Sequence, residues 1–362
     1  MKILAIETSC DETAVAILEI SARGGSACLG QGQASGWKGQ SFKVLANLVS
    51  SQINIHKKYG GVVPEVAARK HLENILPLLD KAMVQAKVTQ KDIEAIGVVY
   101  GPGLITSLIV GIETAKTLSL VWQKPLIPVN HIRAHILANL VEGDQGKFRK
   151  IIFPALCLVV SGGHTSLVLL EDLNNFKTIG QTRDDAVGEA FDKVAKILGL
   201  GYPGGPIIAE KAENADKEKF KLPRPMINSK DFDFSFSGLK TAVRTEWGKE
   251  RFRDKEAIRG MCASFQQACI DVLIIKTIAA SKKFNVRTVL LGGGVSANKE
   301  LRKQMELAVK DLAKVKFFQP DLHLTTDNAL MVAIAAYFEY KEGRGRFKNG
   351  WEKIKVDPNL EI

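Results

Sequence analysis

The sequence predicts a two-lobed α/β protein, and three observations carry that expectation. Strand-like and helix-like apolar patterns alternate along the chain, and a strand–turn–strand unit occurs twice. The 362 residues suit two lobes of ordinary domain size. With 46% hydrophobic and 25% charged residues, the composition is that of a globular chain, which sets disorder aside.

Residues 2–6 and 14–19 read as strands joined by the polar turn Glu7-Thr8-Ser9-Cys10-Asp11-Glu12-Thr13. Residues 21–43, rich in Gly, Ser and Gln, read as a hairpin extension or a loop. Residues 64–84 space Val66, Leu72, Leu76 and Leu79 at helical intervals, and 93–100 form a short apolar strand. Gly101-Pro102-Gly103 turns the chain into a helix over 104–122, followed by a strand over 125–129 and a second helix from near Asn130. The polar stretch 141–150 reads as a loop.

The opening pattern then returns: strands over 155–160 and 165–170 flank the tight turn Ser161-Gly162-Gly163-His164. Its recurrence predicts an internally duplicated architecture. A strand over 287–291 feeds Gly292-Gly293-Gly294-Val295-Ser296-Ala297-Asn298 and a helix over 299–309. Thr325-Thr326-Asp327-Asn328 precedes an apolar helix over 329–340, with Thr and Asp as good N-cap types. The expected division is an N-terminal lobe over 1–128, completed by the helix 327–341, a C-terminal lobe over 129–326 and a basic tail over 342–362.

Cys10, Cys28, Cys157, Cys262 and Cys269 are odd in number and form no CxxC pair, which fits free thiols in a reducing compartment. The opening strand is too short for a secretory core, and no apolar run approaches the roughly 20 residues of a bilayer span. The expectation is a cytoplasmic protein away from membranes. Net charge is +11, with nine Lys/Arg against three Asp/Glu over 281–316 and six against two over 341–355. Such an excess fits a polyanionic partner or a solvated basic surface.

His131 and His135 stand at i and i+4, a spacing that puts two imidazoles on one helix face within reach of one metal ion. The plain alternative is two polar residues on an exposed face. Asp327, at a later helix start, offers an oxygen ligand or an N-cap. Position 132 is Ile, so the glutamate of an HExxH metallopeptidase is missing. The turns Ser161-Gly162-Gly163, Gly204-Gly205 and Gly292-Gly293-Gly294 leave backbone N–H groups open to phosphate oxygens, although none is a Walker A or GxGxxG loop. Asp192 reads as a helix carboxylate that accepts from a ribose or substrate hydroxyl, or as part of an ordinary acidic face. Asp11 and Glu12 bind metal, orient a nucleophile or cap their turn.

Several segments in order resemble one family. They include Ile6–Thr13, Gly60-Gly61-Val62-Val63-Pro64-Glu65, Gly101-Pro102-Gly103-Leu104, His131-Ile132-Arg133-Ala134-His135 and Val160-Ser161-Gly162-Gly163-His164-Thr165. Gly201-Tyr202-Pro203-Gly204-Gly205-Pro206, Phe234-Ser235-Phe236-Ser237-Gly238-Leu239-Lys240, Gly292–Asn298 and Thr326-Asp327-Asn328 complete the set. Together they resemble the TsaD family of tRNA threonylcarbamoyltransferases, over about residues 1 to 340.

The resemblance implies the duplicated actin-like ATPase fold of sugar kinases, Hsp70 and actin, with two lobes around a central cleft. It implies an acyltransferase that moves threonylcarbamoyl from threonylcarbamoyl-AMP to N6 of adenosine 37, 3′ of the anticodon, in tRNAs reading codons that begin with A. By the same resemblance His131, His135 and Asp327 hold one metal, Fe2+ first and Zn2+ second, which serves as Lewis acid. Val159, Val160, Ser161, Gly162, Gly163, Asp192, Gly205 and Asn298 hold the adenylate substrate. No residue is singled out as a general base. The helix after Gly103, with small Gly111 and Ala115, resembles the face that pairs with TsaB, and TsaE is the other usual partner. Asn130 stands where many members have another His, and Thr326 where a Cys is common. A sugar-kinase-like phosphotransferase shares the expected fold and is the main alternative; a metallopeptidase and a nucleotide-binding scaffold are the others.

Overall fold

The computed structural model describes residues 1–22, 40–251, 254–343 and 351–362. The first half holds β1 (Lys2–Glu7), β2 (Glu12–Ala22), β3 (Gln40–Ser51), α1 (Ile53–His56), α2 (Pro64–Ala86), β4 (Ala95–Gly101) and α3 (Ile105–Trp122). Then follow β5 (Leu126–Asn130), α4 (His131–Leu137), β6 (Gln145–Lys147), β7 (Ala155–Val160), β8 (Thr165–Leu170) and β9 (Phe176–Gln181). The helices α5 (Val187–Ile197), α6 (Gly204–Ala212), α7 (Ser237–Lys249) and α8 (Lys255–Lys283) lead to β10 (Thr288–Gly292), α9 (Lys299–Lys310), β11 (Lys316–Phe318) and α10 (Ala329–Lys341). The polar stretch expected as a loop over 141–150 contains β6, which pairs antiparallel with the start of β3.

Contacts divide the chain into two compact units. One comprises residues 1–56, 62–150 and 320–362, and the other 57–61 and 151–319. This boundary lies about twenty residues later than the 128/129 division, because β5 pairs in register with β4 and carries α4 with it.

The first unit is built on a sheet of order β5-β4-β1-β2-β3-β6, and the second on a sheet of order β11-β10-β7-β8-β9. In each, the leading strand pairs antiparallel with the next strand on one side and parallel with a later strand on the other. Apart from the added β6, the two orders superpose strand for strand. This is the duplication that the recurring strand–turn–strand pattern predicts.

In the first unit Ile3, Leu4, Ala5 and Ile6 of β1 are fully buried. Such continuous burial requires layers on both faces of a central strand, and each large side chain there contributes about 2 kcal/mol. The helix α10 packs against β1, β2, β4 and β5. Gly97 on β4 permits its approach, since a Cβ there would sit 2.7 Å from that of Ala336. In α2 the inward residues are Ala67, His71, Ile75, Leu79 and Ala82, while Leu72 and Leu76 face outward, against a simple apolar-face expectation.

Two helices, α3 and α8, have the length and hydropathy of a bilayer span, contrary to the expectation that no apolar run approaches it. In α8, 72% of that window is buried, so packing within the fold accounts for its composition.

Two predicted features fall partly outside the described residues. Of the stretch 21–43, residues 23–39 lie there, and of the basic tail, residues 344–350. The end of the tail packs within the first unit: Asp357 N–H donates to Tyr100 O at 2.9 Å and Asn130 Nδ2 to Glu361 O at 3.1 Å.

Candidate active site

In the first unit β5 ends at Asn130, whose side-chain oxygen accepts from Ile132 N and Arg133 N at 2.9 and 3.1 Å. Asn130 is thus the N-cap of α4 and starts the helix at His131. From there the i, i+4 spacing stacks His131 and His135 on one face, with ring centroids 4.6 Å apart at 86°. Both side chains are buried rather than on an exposed face.

Asp327 comes from the other end of the unit. The N-cap of α10 is Asn328, whose side chain accepts from Met331 N. Asp327 stands one residue earlier. Its Oδ1 lies 3.1 Å from His135 Nε2 and 3.5 Å from His131 Nε2. One ligand atom from each of the three residues falls within 4.8 Å of the others.

The far side of His131 meets Glu7 and Ser9. Its Nδ1 lies 3.3 Å from Glu7 Oε2 and 3.1 Å from Ser9 Oγ. A carboxylate only accepts, so Nδ1 keeps a proton towards Glu7, and Nε2, beside Asp327, is the nitrogen that ligates once its own proton is displaced. A carboxylate behind a ligating imidazole is the arrangement that orients metal ligands. Glu7 itself is fixed by Ser9 N, which donates to Oε1 at 2.5 Å. Glu7 and Ser9 were not among the predicted ligating residues; their only signal was a polar run straight after a buried strand.

The donor set fits a cation. Burial opposes charge on His131, but the carboxylates of Asp327 and Glu7 outweigh it and raise its pKa to about 9. Burial keeps His135 below its usual range. The buried Nδ1 of His135 has no hydrogen-bond partner among the described residues. Two imidazoles and two carboxylates in a largely desolvated pocket are better satisfied by a metal ion than by one shared proton. Metal uptake must then displace the His131 proton. The apparent affinity for Zn2+ is expected to rise about tenfold per pH unit from pH 7 towards 9. Chelator competition across that range checks it, and a flat profile would mean that His131 holds no displaceable proton there.

Asp11 and Glu12 lie in the turn beside this group. Burial, with the charges of Asp11 and Asp327, raises the Glu12 carboxyl well above the ordinary range.

In the second unit, of the predicted substrate-binding residues, Val159 to Gly163 lie at and just after the C-terminal end of β7 and Asn298 follows that of β10, where parallel α/β sheets hold ligands, while Asp192 and Gly205 lie on α5 and α6. Val159 and Val160 are fully buried, so only their backbone is available there. The Ser161–His164 turn is closed by Ser161 N donating to His164 O at 2.8 Å. At Gly162 and Gly163 an added Cβ would meet nothing within 4 Å, leaving open space beside the turn. Gly188 lets α5 abut this turn, since its Cβ would lie 2.5 Å from Ser161 O. Gly293, at φ 85°, approaches the Val160 carbonyl equally closely. Asp192 Oδ1 accepts from Gly204 N at 2.6 Å and so ties α5 to the start of α6, where Gly205 faces open space. Asn298 caps α9 through its oxygen and donates through Nδ2 to Gln266 at 2.7 Å. Asp192 and Asn298 thus tie together helices of the second unit.

Gly111 and Ala115 are buried, and Gly111 turns towards Thr8, whose Oγ1 would lie 2.3 Å from an added Cβ. The outward side of α3 carries Ile105 and Ile109 instead, which corrects the small-residue expectation for that face.

Comparison with known proteins follows the same lines. A model of the tRNA N6-adenosine threonylcarbamoyltransferase family (TsaD) matches residues 43–334. The protein so named from Syntrophomonas wolfei subsp. wolfei is 48% identical over 338 residues, 93% of this chain and 92% of that one. The one from Persephonella marina is 46% identical over 368 residues, 100% and 98% of the two chains. Among solved structures, HypF from T. kodakarensis matches with a TM-score of 0.59 at 14% identity, a likeness of fold alone. That match covers 94% of this chain and 48% of HypF, so the chain spans about half of HypF's length. With the duplicated strand order, it places the chain among actin-like ATPase folds.

Proposed function

We propose, since the chain belongs to the TsaD family of tRNA N6-adenosine threonylcarbamoyltransferases, that His131, His135 and Asp327 hold the metal at which it works. The protein is an acyltransferase that moves threonylcarbamoyl from threonylcarbamoyl-AMP to N6 of adenosine 37 in tRNAs reading codons that begin with A. The observation that carries the reading is the convergence of two buried imidazoles and Asp327 on one point, with Glu7 behind His131.

In the reaction a bond forms between N6 and the carbamoyl carbon, the bond from that carbon to the AMP phosphate oxygen breaks, and AMP departs with the electron pair. N6 loses a proton. When bound, the metal supplies a Lewis acid for charge developing on the acyl group. Glu7 holds His131 in the tautomer that ligates, and Asn130 fixes the start of the helix that aims both rings. Within the turn, Gly162 and Gly163 face open space and offer their backbone N–H groups to the departing phosphate. Asp192, Gly205 and Asn298 complete the adenylate site around it. Two histidines with one carboxylate favour Fe2+, with Zn2+ the second choice.

The basic stretch 281–316 presents exposed Lys282, Lys283, Arg287, Lys299, Lys303, Lys310, Lys314 and Lys316, which suit a tRNA backbone. If four or more of them neutralise phosphates, tRNA affinity falls at least about a hundredfold between 50 and 200 mM salt. Filter binding checks this, and a flat response would separate the charge from the substrate.

Leu72 and Leu76 on α2 and Ile105 and Ile109 on α3 are 44–64% exposed, an apolar face suited to a TsaB-like partner. A TsaE-like ATPase is the other expected partner. Cys10, Cys157, Cys262 and Cys269 are all free thiols, which supports a reducing, cytoplasmic setting. The test is nucleoside analysis of unmodified tRNA incubated with the protein, threonylcarbamoyl-AMP and both partners. Threonylcarbamoyladenosine is expected; its absence with metal and partners bound would return the phosphotransferase reading.

A further inference from the structure

A half-buried carbonyl in the first unit receives side chains from two different helices. His71, inward on α2, places Nε2 3.0 Å from Cys10 O, and Ser107, inward on α3, places Oγ 3.2 Å from the same oxygen. Both residues are fully buried. A carbonyl only accepts, so His71 carries its proton on Nε2, and its Nδ1 accepts from Thr13 Oγ1 at 2.8 Å. His71 thus holds both ends of the turn Cys10-Asp11-Glu12-Thr13. Ser107 is itself tied to the strand end, because its own carbonyl accepts from Thr8 Oγ1 at 2.9 Å.

This turn is continuous with the metal centre. Ser9, the residue before it, contacts His131 Nδ1, and Ser9 O accepts from Leu104 N at 2.8 Å just ahead of α3. One donor is enough to satisfy a carbonyl withdrawn from water. Two donors from separate helices fix its direction as well, and with it the peptide planes that carry Asp11 and Glu12.

We infer that His71 and Ser107 are positioning residues for the transfer reaction: through the Cys10 carbonyl they set the Cys10–Thr13 turn against the His131, His135 and Asp327 group. This rests on the proposed reaction for its kinetic test, and a second readout stands apart from it. Neither side chain is among the metal donors, so its loss leaves the metal in place and misplaces the turn.

The experiment compares wild type with Ser107→Ala, His71→Leu and His71→Gln, in steady-state transfer to tRNA with both partners present. Ser107→Ala is expected to lower kcat about tenfold, the equivalent of one hydrogen bond, and His71→Leu, which loses two, by at least about tenfold. KM for tRNA and metal content stay at wild-type values. His71→Gln, which keeps an N–H donor, recovers most of the loss. Wild-type kcat in Ser107→Ala and His71→Leu, or a loss that follows metal content or folded fraction, would overturn the inference. Amide hydrogen exchange over residues 10–13 is read on the same proteins and needs no reaction. It is expected to quicken at least about tenfold in Ser107→Ala, in keeping with one lost bond, while α2 and α3 keep their protection. Unchanged exchange contradicts the inference whether or not wild type forms product.

Discussion

His131→Ala is expected to remove the metal and to lower threonylcarbamoyl transfer by roughly a thousandfold, the scale of losing a main electrostatic stabiliser. The fold survives. Its cost is the partner of a fully buried Glu7 carboxylate, about 2 kcal/mol, against the 5–15 kcal/mol that holds a typical domain. Circular dichroism, metal analysis and the transfer assay on one preparation check the three parts together. Transfer at the wild-type rate by the metal-free variant would sink the assignment. A variant that unfolds would place His131 in the core rather than in the site.

The second large effect comes from a residue that is no ligand. Glu7→Gln keeps the shape of the side chain but removes the charge that fixes His131 with its proton on Nδ1. The ring is then free to turn or to take the other tautomer, and metal affinity is expected to fall 10- to 100-fold. Chelator competition against wild type measures it. Equal affinities would mean that packing alone orients the ring. Ser9 limits the loss, since its hydroxyl still reaches His131 Nδ1.

Much of this site was legible in the chain because it depends on local rules. The HxxxH spacing needs only a helix, and the helix follows from a strand ending at a residue that caps it. Asn130 serves as that cap and starts the helix at His131. The strand orders were legible for a similar reason: two short apolar runs around a polar turn, occurring twice, can pair in few ways.

What the sequence left undecided depends on contacts distant along the chain. Asp327 could be cap or ligand; Asn328 is the residue whose side chain accepts from Met331 N, and Asp327 lies beside both imidazoles. Glu7 is 124 positions from His131, and no spacing rule joins them. The outward turn of Leu72 and Leu76 and the inward turn of Gly111 and Ala115 followed from which side of each helix met the sheet. Hydrophobicity alone could not set that, because α3 is apolar on both sides.

The central claim is that transfer runs at a metal held by His131, His135 and Asp327. Its most direct test is titration of metal-stripped protein with Fe2+ under anaerobic conditions, reading threonylcarbamoyladenosine formed in tRNA with both partners present. Product is expected to rise from near zero and to level off at one equivalent of metal per chain. Full transfer by the stripped protein, with no response to added metal, would contradict it.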